Sequence, residues 1–377
     1  MVTHTRVKLL FLITYFPLTC GYVDKSRILK ESGAENETIV SCYYNLGDAL
    51  DPTVCTHLMV FGATVNVNGS ATFLNSTAYK IILGFKIRNP NLKILVTAGG
   101  DMSDVMKDPV KVNRLTGQIV EFIRKSKFDG FDLDWEMNSL FPIKPAYKGM
   151  DEFFRILRQK FQKEPRKLYL TAAVFAVPLD IIRPSYNVTA LNEYLDFINL
   201  MTYDFYQYLP TQPYTGHNAP LFKRPEEFWI FGHLNTAWSA FHWYKNGMHH
   251  KKIAVGIPTY GHTYTLLFRF WHTLRAPATG LGPLGRYVTY QQVCHLLAHE
   301  TYTRVWDSYA KVPHCYKDRQ WISYDDVESV SAKAEWIKHE GFGGAMIYDF
   351  HSDDPLGQCD GRTTFPLHRK IWSIMKG

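Results

Sequence analysis

Short runs of β-branched and aromatic residues recur along the chain, with apolar side chains at successive positions instead of alternating with polar ones. Strands buried on both faces have this pattern, which favours a parallel sheet covered by helices. The runs predict strands near Ile39–Tyr44, His57–Ala63, Lys93–Ala98, Phe128–Trp135, Leu168–Phe175, Phe197–Thr202, Lys252–Pro258 and Gly343–Tyr348. Helical periodicity falls between them. Val112–Lys125 carries Leu115, Ile119, Phe122 and Ile123 at spacings of three and four, Asp151–Phe161 and Val327–His339 show similar stripes, and Phe365–Met375 can close the chain. Eight such units without an obvious linker predict an α/β fold, a closed (β/α)8 TIM barrel. The interval 263–325 is too long for a loop and contains strand-like fragments, Arg286–Val288 and Trp321–Tyr324. A small α+β subdomain is expected there, inserted between the seventh and eighth strands. There is no internal repeat, and no separate binding module is expected after the eighth unit.

Of 377 residues, 46% are hydrophobic and 15% aromatic, enough for a large core, which excludes disorder and coiled coil. The first residues change the picture. Arg6 and Lys8 precede an apolar stretch, Leu9–Phe16, followed by Pro17 and small residues at Thr19–Gly21. This layout predicts a secretory signal peptide over 1–21 and a mature chain over 22–377, because the apolar stretch is shorter than the roughly 20 residues of a spanning helix. An extracellular protein is expected, with no membrane partner after cleavage. Losing Arg6 and Lys8 takes the formal charge from +7 to +5, and this excess is dispersed in pairs such as Lys251 and Lys252. Nucleic acid is not an expected partner. Export fits Asn-x-Ser/Thr sequons at Asn36, Asn68, Asn75 and Asn187. Without Cys20, the cysteines Cys42, Cys55, Cys294, Cys315 and Cys359 are odd in number and lack CxxC spacing, so bridges between distant segments are expected, with one thiol left over. A monomer is expected.

The chemistry concentrates in Phe128–Glu136. In an extended strand Asp132, Asp134 and Glu136 share one face, while Phe131, Leu133 and Trp135 take the other. Crowding like charges inside a barrel forces at least one group to hold a proton at neutral pH. A protonated carboxyl at the C-terminal end of a barrel strand can protonate a leaving-group oxygen, as glycoside cleavage requires, and Glu136 stands nearest that end. A cation site is the competing reading. Hard cations want oxygen ligands on a loop that wraps, whereas these acids are interleaved with large apolar residues, so no metal is expected. No cofactor is expected either: Gly280–Gly285 fits GxGxxG but follows Arg275-Ala276-Pro277 and contains Pro283, and no HExxH occurs.

Asp129-x-x-Asp132-x-Asp134-x-Glu136 resembles the DxxDxDxE signature of family-18 glycoside hydrolases, the chitinases and chitinase-like lectins. Cys42–Tyr44, Leu50–Leu58, Leu95–Gly100, Leu200–Asp204, Gly256–Gly261 and Gly343–Met346 resemble further family segments in the same order, so the likeness covers about residues 39–376. It implies that Glu136 is the general acid/base, that Asp134 steers the substrate's N-acetyl group and shares a proton with Asp132, and that the Tyr203 hydroxyl contacts the acetamido carbonyl. That carbonyl is the nucleophile, the substrate-assisted exception to the two-carboxylate scheme. The resemblance implies chitin or a chitooligosaccharide as partner. It places Asp204, Tyr348, Met201, Met346, Tyr43, Phe61, Gly100, Asp101, Met137 and His262 along the substrate groove, and it implies disulfides Cys42–Cys55 and Cys294–Cys359, with Cys315 unpaired. Four positions depart from the family pattern: Asp101 and Tyr348 stand where it has Trp, Met137 where it has Tyr, and His262 where it has Arg. These changes remove aromatic area and a charge, so a lectin of the same fold with little or no turnover is the second reading. A structural or growth-factor-like barrel that binds no saccharide is the third.

Overall fold

The computed structural model describes residues 37–136, 146–176 and 186–377. The expected leader, Asn36 and Met137 lie outside the described residues. Eight parallel strands form the centre: β1 (Ile39–Asn45), β2 (His57–Val65), β3 (Lys93–Gly100), β4 (Gly130–Trp135), β5 (Tyr169–Phe175), β6 (Phe197–Met201), β7 (Ile253–Pro258) and β8 (Gly344–Tyr348). Each pairs with the next in chain order, and β8 returns to β1 with Cys42 opposite Ile347, which closes the barrel. The fold is the expected TIM barrel. All residues of β4 and β7 are buried: in β7 they form a continuous apolar run, and in β4 they enclose Asp132 and Asp134.

Helices cover the barrel through the stripes seen in the sequence. In α1 (Pro109–Ser126) the buried residues include Leu115, Ile119, Phe122 and Ile123; Asp108 caps its start by accepting from Val110 and Lys111, and Lys127 ends it with a left-handed φ of 64°. α2 (Ala146–Phe161), α3 (Val327–Glu340) and α4 (Pro366–Lys376) follow the stripes at 151–161, 327–339 and 365–375. One apolar layer lies between strands and helices, and a second fills the barrel with Ile39, Met59, Leu95, Phe197, Ala254 and Met346. His57, at the start of β2, meets the rings of Tyr169 and Phe197 at 5.1 and 5.0 Å, and burial pushes its pKa down to about 3. It is therefore a neutral filler of the core.

Between β7 and β8 the chain builds a second, antiparallel sheet from Tyr260–Leu266, Ala278–Gly280, Tyr287–Thr289, Thr303–Asp307, Val312–Lys317 and Gln320–Ser323, with a helix at Tyr290–His299. The Cys294–Cys359 disulfide ties that helix to the segment after β8, and Cys42–Cys55 ties β1 to the approach to β2. Cys315 is a free thiol buried with Val293, Ile322 and Tyr324, and burial raises its pKa. It is an inert core residue rather than a reactive one.

The sheet hands the chain back to the barrel through a buried ion pair. Lys333 of α3 lies 2.5 Å from Asp325, which also accepts from the Ser329 hydroxyl, and both charged side chains are fully enclosed. Burial drives both groups toward neutrality, so each depends on the other to remain charged. Lys333→Ala strands the Asp325 carboxylate, and the expected cost is about 3–5 kcal/mol in urea unfolding. A loss below about 1 kcal/mol, the range of a surface pair, would contradict this reading.

Candidate active site

The site grows from β4. Gly130 opens the strand where a Cβ would stand 2.1 Å from the Tyr169 carbonyl oxygen, so only glycine lets β4 pair with β5 in this register. Phe131, Leu133 and Trp135 join the layer beneath the helices. Asp132 and Asp134 take the other face, inside the barrel. Asp129, first acid of the signature, sits at the opposite end of the strand, accepting from the Ile94 N–H and pairing with Lys86 at 2.6 Å. It anchors β4 and stands apart from the other three.

Asp132 is fully buried and saturated with donors. Tyr43 OH and Thr97 Oγ1 reach its Oδ2 at 2.9 and 3.2 Å, and Thr171 Oγ1 and Asn199 Nδ2 reach Oδ1 at 2.6 and 3.4 Å. Ser41 donates to Asn199 at 2.6 Å and fixes that amide. Burial raises the pKa of Asp132 and the donors pull it back. Asp134 has no such relief. Burial, then the charges of Glu136 and Asp132, hold its pKa well above the usual carboxylate range, and its buried Oδ1 has no hydrogen-bond partner among the described residues. Of the three acids, Asp134 is the one pushed most strongly toward its protonated form. The charge of Asp132 acts on Asp134 through space.

Glu136 ends the row at the mouth and is exposed. Desolvation by the adjoining walls raises its pKa, and the charge of Asp204 adds to the effect. Because water still reaches it, the shift is smaller than that of Asp134. Asp204, just beyond β6, has a left-handed φ of 56°, and its N–H donates to Asn218 Oδ1 at 2.9 Å. Its Oδ1 accepts from Tyr260 OH, and His262 Nε2 lies at the same 2.7 Å. His262 is buried, with Nδ1 3.3 Å from the Arg286 carbonyl, so it acts on the site through Asp204.

Aromatic rings wall the mouth. Tyr348, at the end of β8, lies 5.5 Å from Tyr43, 5.8 Å from Tyr203 and 6.2 Å from Tyr260 between ring centroids. Phe61 lies 5.6 Å from Tyr43. Tyr203 is buried, its pKa is raised well above normal chiefly by desolvation, and among the described residues its hydroxyl donates to the Met346 sulfur alone, at 3.9 Å. It is a protonated donor with a weak partner. Met201 and Met346 form the buried floor, and Gly100 is exposed with a φ of 102°. Asp101, although exposed, is engaged by its own loop and by the end of β4: its carboxylate accepts from Ser103 N, Ser103 Oγ and Trp135 Nε1. Among the described residues no group of three or more His, Cys, Asp or Glu is placed to hold a metal ion. A cavity of about 210 Å³ lined by Tyr206, Arg224 and Arg275 contains none of the acids of the row.

A family model, Glycosyl hydrolases family 18, matches residues 21–353. The chain belongs to glycosyl hydrolase family 18. It is similar to chitotriosidase-1 of Mus musculus, 33% identical over 348 residues, covering 85% of this chain and 72% of the relative. The Group IV chitinase of Ostrinia furnacalis, solved in complex with allosamidin, is similar with a TM-score of 0.83 and 30% identity, over 90% of this chain and 99% of that one. Human YKL-39, described as a pseudo-chitinase with retained chitooligosaccharide binding properties, is similar with a TM-score of 0.83 and 28% identity, over 90% of this chain and 100% of that one. The family thus contains both chitinases and a pseudo-chitinase of this architecture.

Family membership does not by itself reveal every contributor. The structure adds Asn199, Thr97, Thr171 and Ser41 around Asp132, Asn218 and Tyr260 around Asp204, and Tyr287 of the inserted sheet, whose ring lies 5.5 Å from Tyr260 and 5.3 Å from His262. Asn199 had a visible signal: it is a lone amide in the fully buried strand FINLM. Asn68, Asn75 and Asn187 are exposed, and the last two cap helices through Oδ1.

Proposed function

We propose that this chain is an exported, endo-acting chitinase that cleaves β-1,4-linked N-acetylglucosamine polymers or oligomers with retention of configuration. The observation that carries the reading is the graded row of acids: Asp132 saturated with donors, Asp134 pushed toward protonation with Oδ1 unpartnered among the described residues, and Glu136 at the mouth with a raised pKa. Glu136 gives its proton to the glycosidic oxygen as the bond to the anomeric carbon breaks. The sugar's acetamido carbonyl oxygen forms the new bond to that carbon from the other face, and the Tyr203 hydroxyl, weakly held by sulfur, turns to that carbonyl. As positive charge grows on the oxazolinium ring, ionised Asp134 becomes favourable and accepts from its N–H. Asp132 can take up the proton released, because Tyr43, Thr97 and Thr171 are hydroxyls and can turn from donors to acceptors. Glu136, now a carboxylate, then activates the water that opens the ring.

The pH dependence follows from the acid's role. Glu136 must be protonated to act, so kcat/KM falls as pH rises through its raised pKa. Removing the neighbouring charge with Asp204→Asn makes the ionised form less costly, lowers that pKa and moves the alkaline limb of the profile to lower pH. A limb that stays in place or moves upward in the variant would show that another group sets it.

A second reading, a lectin with little turnover, is favoured by Tyr348, His262 and Asp101 at the mouth, which leave a smaller stacking surface and no arginine beside Asp204. A time course on a soluble N-acetylglucosamine hexamer, run beside a binding titration, separates the two. The enzyme reading expects products; binding without products supports the lectin.

A further inference from the structure

Two neighbouring loops carry apolar side chains that the groove does not use. Phe228–Phe231 follow β6 and Leu267–Trp271 follow the first strand of the inserted sheet, so both leave the barrel from the end where Glu136 stands. Arg275 links them. Its guanidinium lies 4.4 Å from the Phe231 ring centroid and 3.6 Å from Glu227, and two residues further on Pro277 O accepts from Leu267 N. Trp229 is 90% exposed, Phe270 76% and Phe228 68%, a concentration of free aromatic surface that marks an interaction site. Trp229 also holds a φ of 53°, a region that bulky residues rarely adopt, so the turn keeps its ring in water at a cost in backbone energy.

Charge narrows the choice of occupant. Lys223, whose side chain runs past Gly232 of the same turn, and Arg269, between Phe268 and Phe270, are exposed and make no ion pair among the described residues. Phe228, Trp229, Ile230 and Phe231 are consecutive, and the Trp229 indole N–H is the one hydrogen-bonding side-chain group in the run. A second copy packed two-fold on this patch would bring the unpaired cations together. Beside the tips Glu226 and Glu227 are engaged by Arg224 and Arg275, and apolar tips with Lys223 and Arg269 beside them suit the boundary between acyl chains and negatively charged headgroups, where Trp and Phe partition and Lys and Arg find phosphate. We propose that these two loops dock the protein on a membrane surface containing anionic lipid, against the expectation from composition that no membrane partner follows export. The proposal does not rest on the hydrolytic reading.

The test is co-sedimentation of the full chain with vesicles of phosphatidylcholine alone and of phosphatidylcholine with phosphatidylserine. Wild type is expected to pellet with the phosphatidylserine vesicles, less so as salt rises. Trp229→Ser/Phe270→Ser and, separately, Lys223→Glu/Arg269→Glu are each expected to weaken that binding by about tenfold or more, with hexamer turnover unchanged. The second variant alters only exposed charges and keeps the test decisive if the first fails to fold. Absence of vesicle binding by wild type, or equal binding by the variants, overturns the proposal. So does loss in the aromatic variant of retention on insoluble chitin without vesicle binding, which would mark a saccharide platform, or loss of a concentration-dependent dimer, which would mark a self-interface.

Discussion

Glu136→Gln is expected to lower turnover of an N-acetylglucosamine hexamer by about 10²–10⁴ while the dissociation constant for the oligomer changes little. The amide keeps the shape of the side chain and one of its acceptors but has no acidic proton to give. Its neighbours should respond as well. Glu136 is the first charge holding up the pKa of Asp134 after burial itself, so neutralising position 136 lets Asp134 ionise at lower pH than in wild type. Residual activity in the variant should therefore lack the alkaline limb that belongs to Glu136. Turnover within a factor of two of wild type would remove Glu136 from the role of acid, and loss of binding together with turnover would show that the substitution had damaged the groove.

Asp134→Asn is expected to lower kcat by about 10²–10³, the scale of removing one electrostatic partner of a transition state, with KM nearly unchanged. In the ground state burial and the charges of Glu136 and Asp132 favour the neutral form of Asp134, which an asparagine of the same size resembles. In the transition state the acetamido group becomes cationic, and only a group able to ionise can answer that charge. The loss should therefore fall on kcat. An Asp134→Asn enzyme that keeps kcat and loses affinity would mean that the residue merely binds sugar, and the graded row would have no catalytic meaning.

The barrel was legible because its strands are buried on both faces and leave uninterrupted apolar runs; every expected barrel strand lies within two residues of the observed one. The row of acids was legible for the opposite reason, since alternation of Asp132 and Asp134 with Phe131 and Leu133 states which face is polar. What the sequence hid is how each acid is partnered. Four donors converge on Asp132 from β1, β3, β5 and β6, and only closure of the barrel brings Tyr43, Thr97, Thr171 and Asn199 together. Asp101 was expected along the groove by its place after Gly99 and Gly100, yet its carboxylate is engaged by Ser103 and Trp135, a local turn preference that position alone does not express. Tyr287 was invisible because the register of the inserted strands against Tyr260 depends on a loop of the insertion whose length carries no pattern.

Under the proposed function, the departures at Tyr348 and His262 are expected to act on strength more than on mechanism. Tyr348 keeps a ring among Tyr43, Tyr203 and Tyr260, and His262 keeps a contact to Asp204, so the carboxylate row retains its surroundings. Weak stacking would raise KM first.

Attack by the sugar's own amide and then by water makes two displacements at the anomeric carbon, and proton NMR of the first product from a fully acetylated hexamer tests for both directly. Two inversions at the anomeric carbon leave its configuration as it began, so the new reducing end should appear as the β anomer and only later mutarotate. First appearance of the α anomer, or an unchanged hexamer that nonetheless binds, would contradict the account.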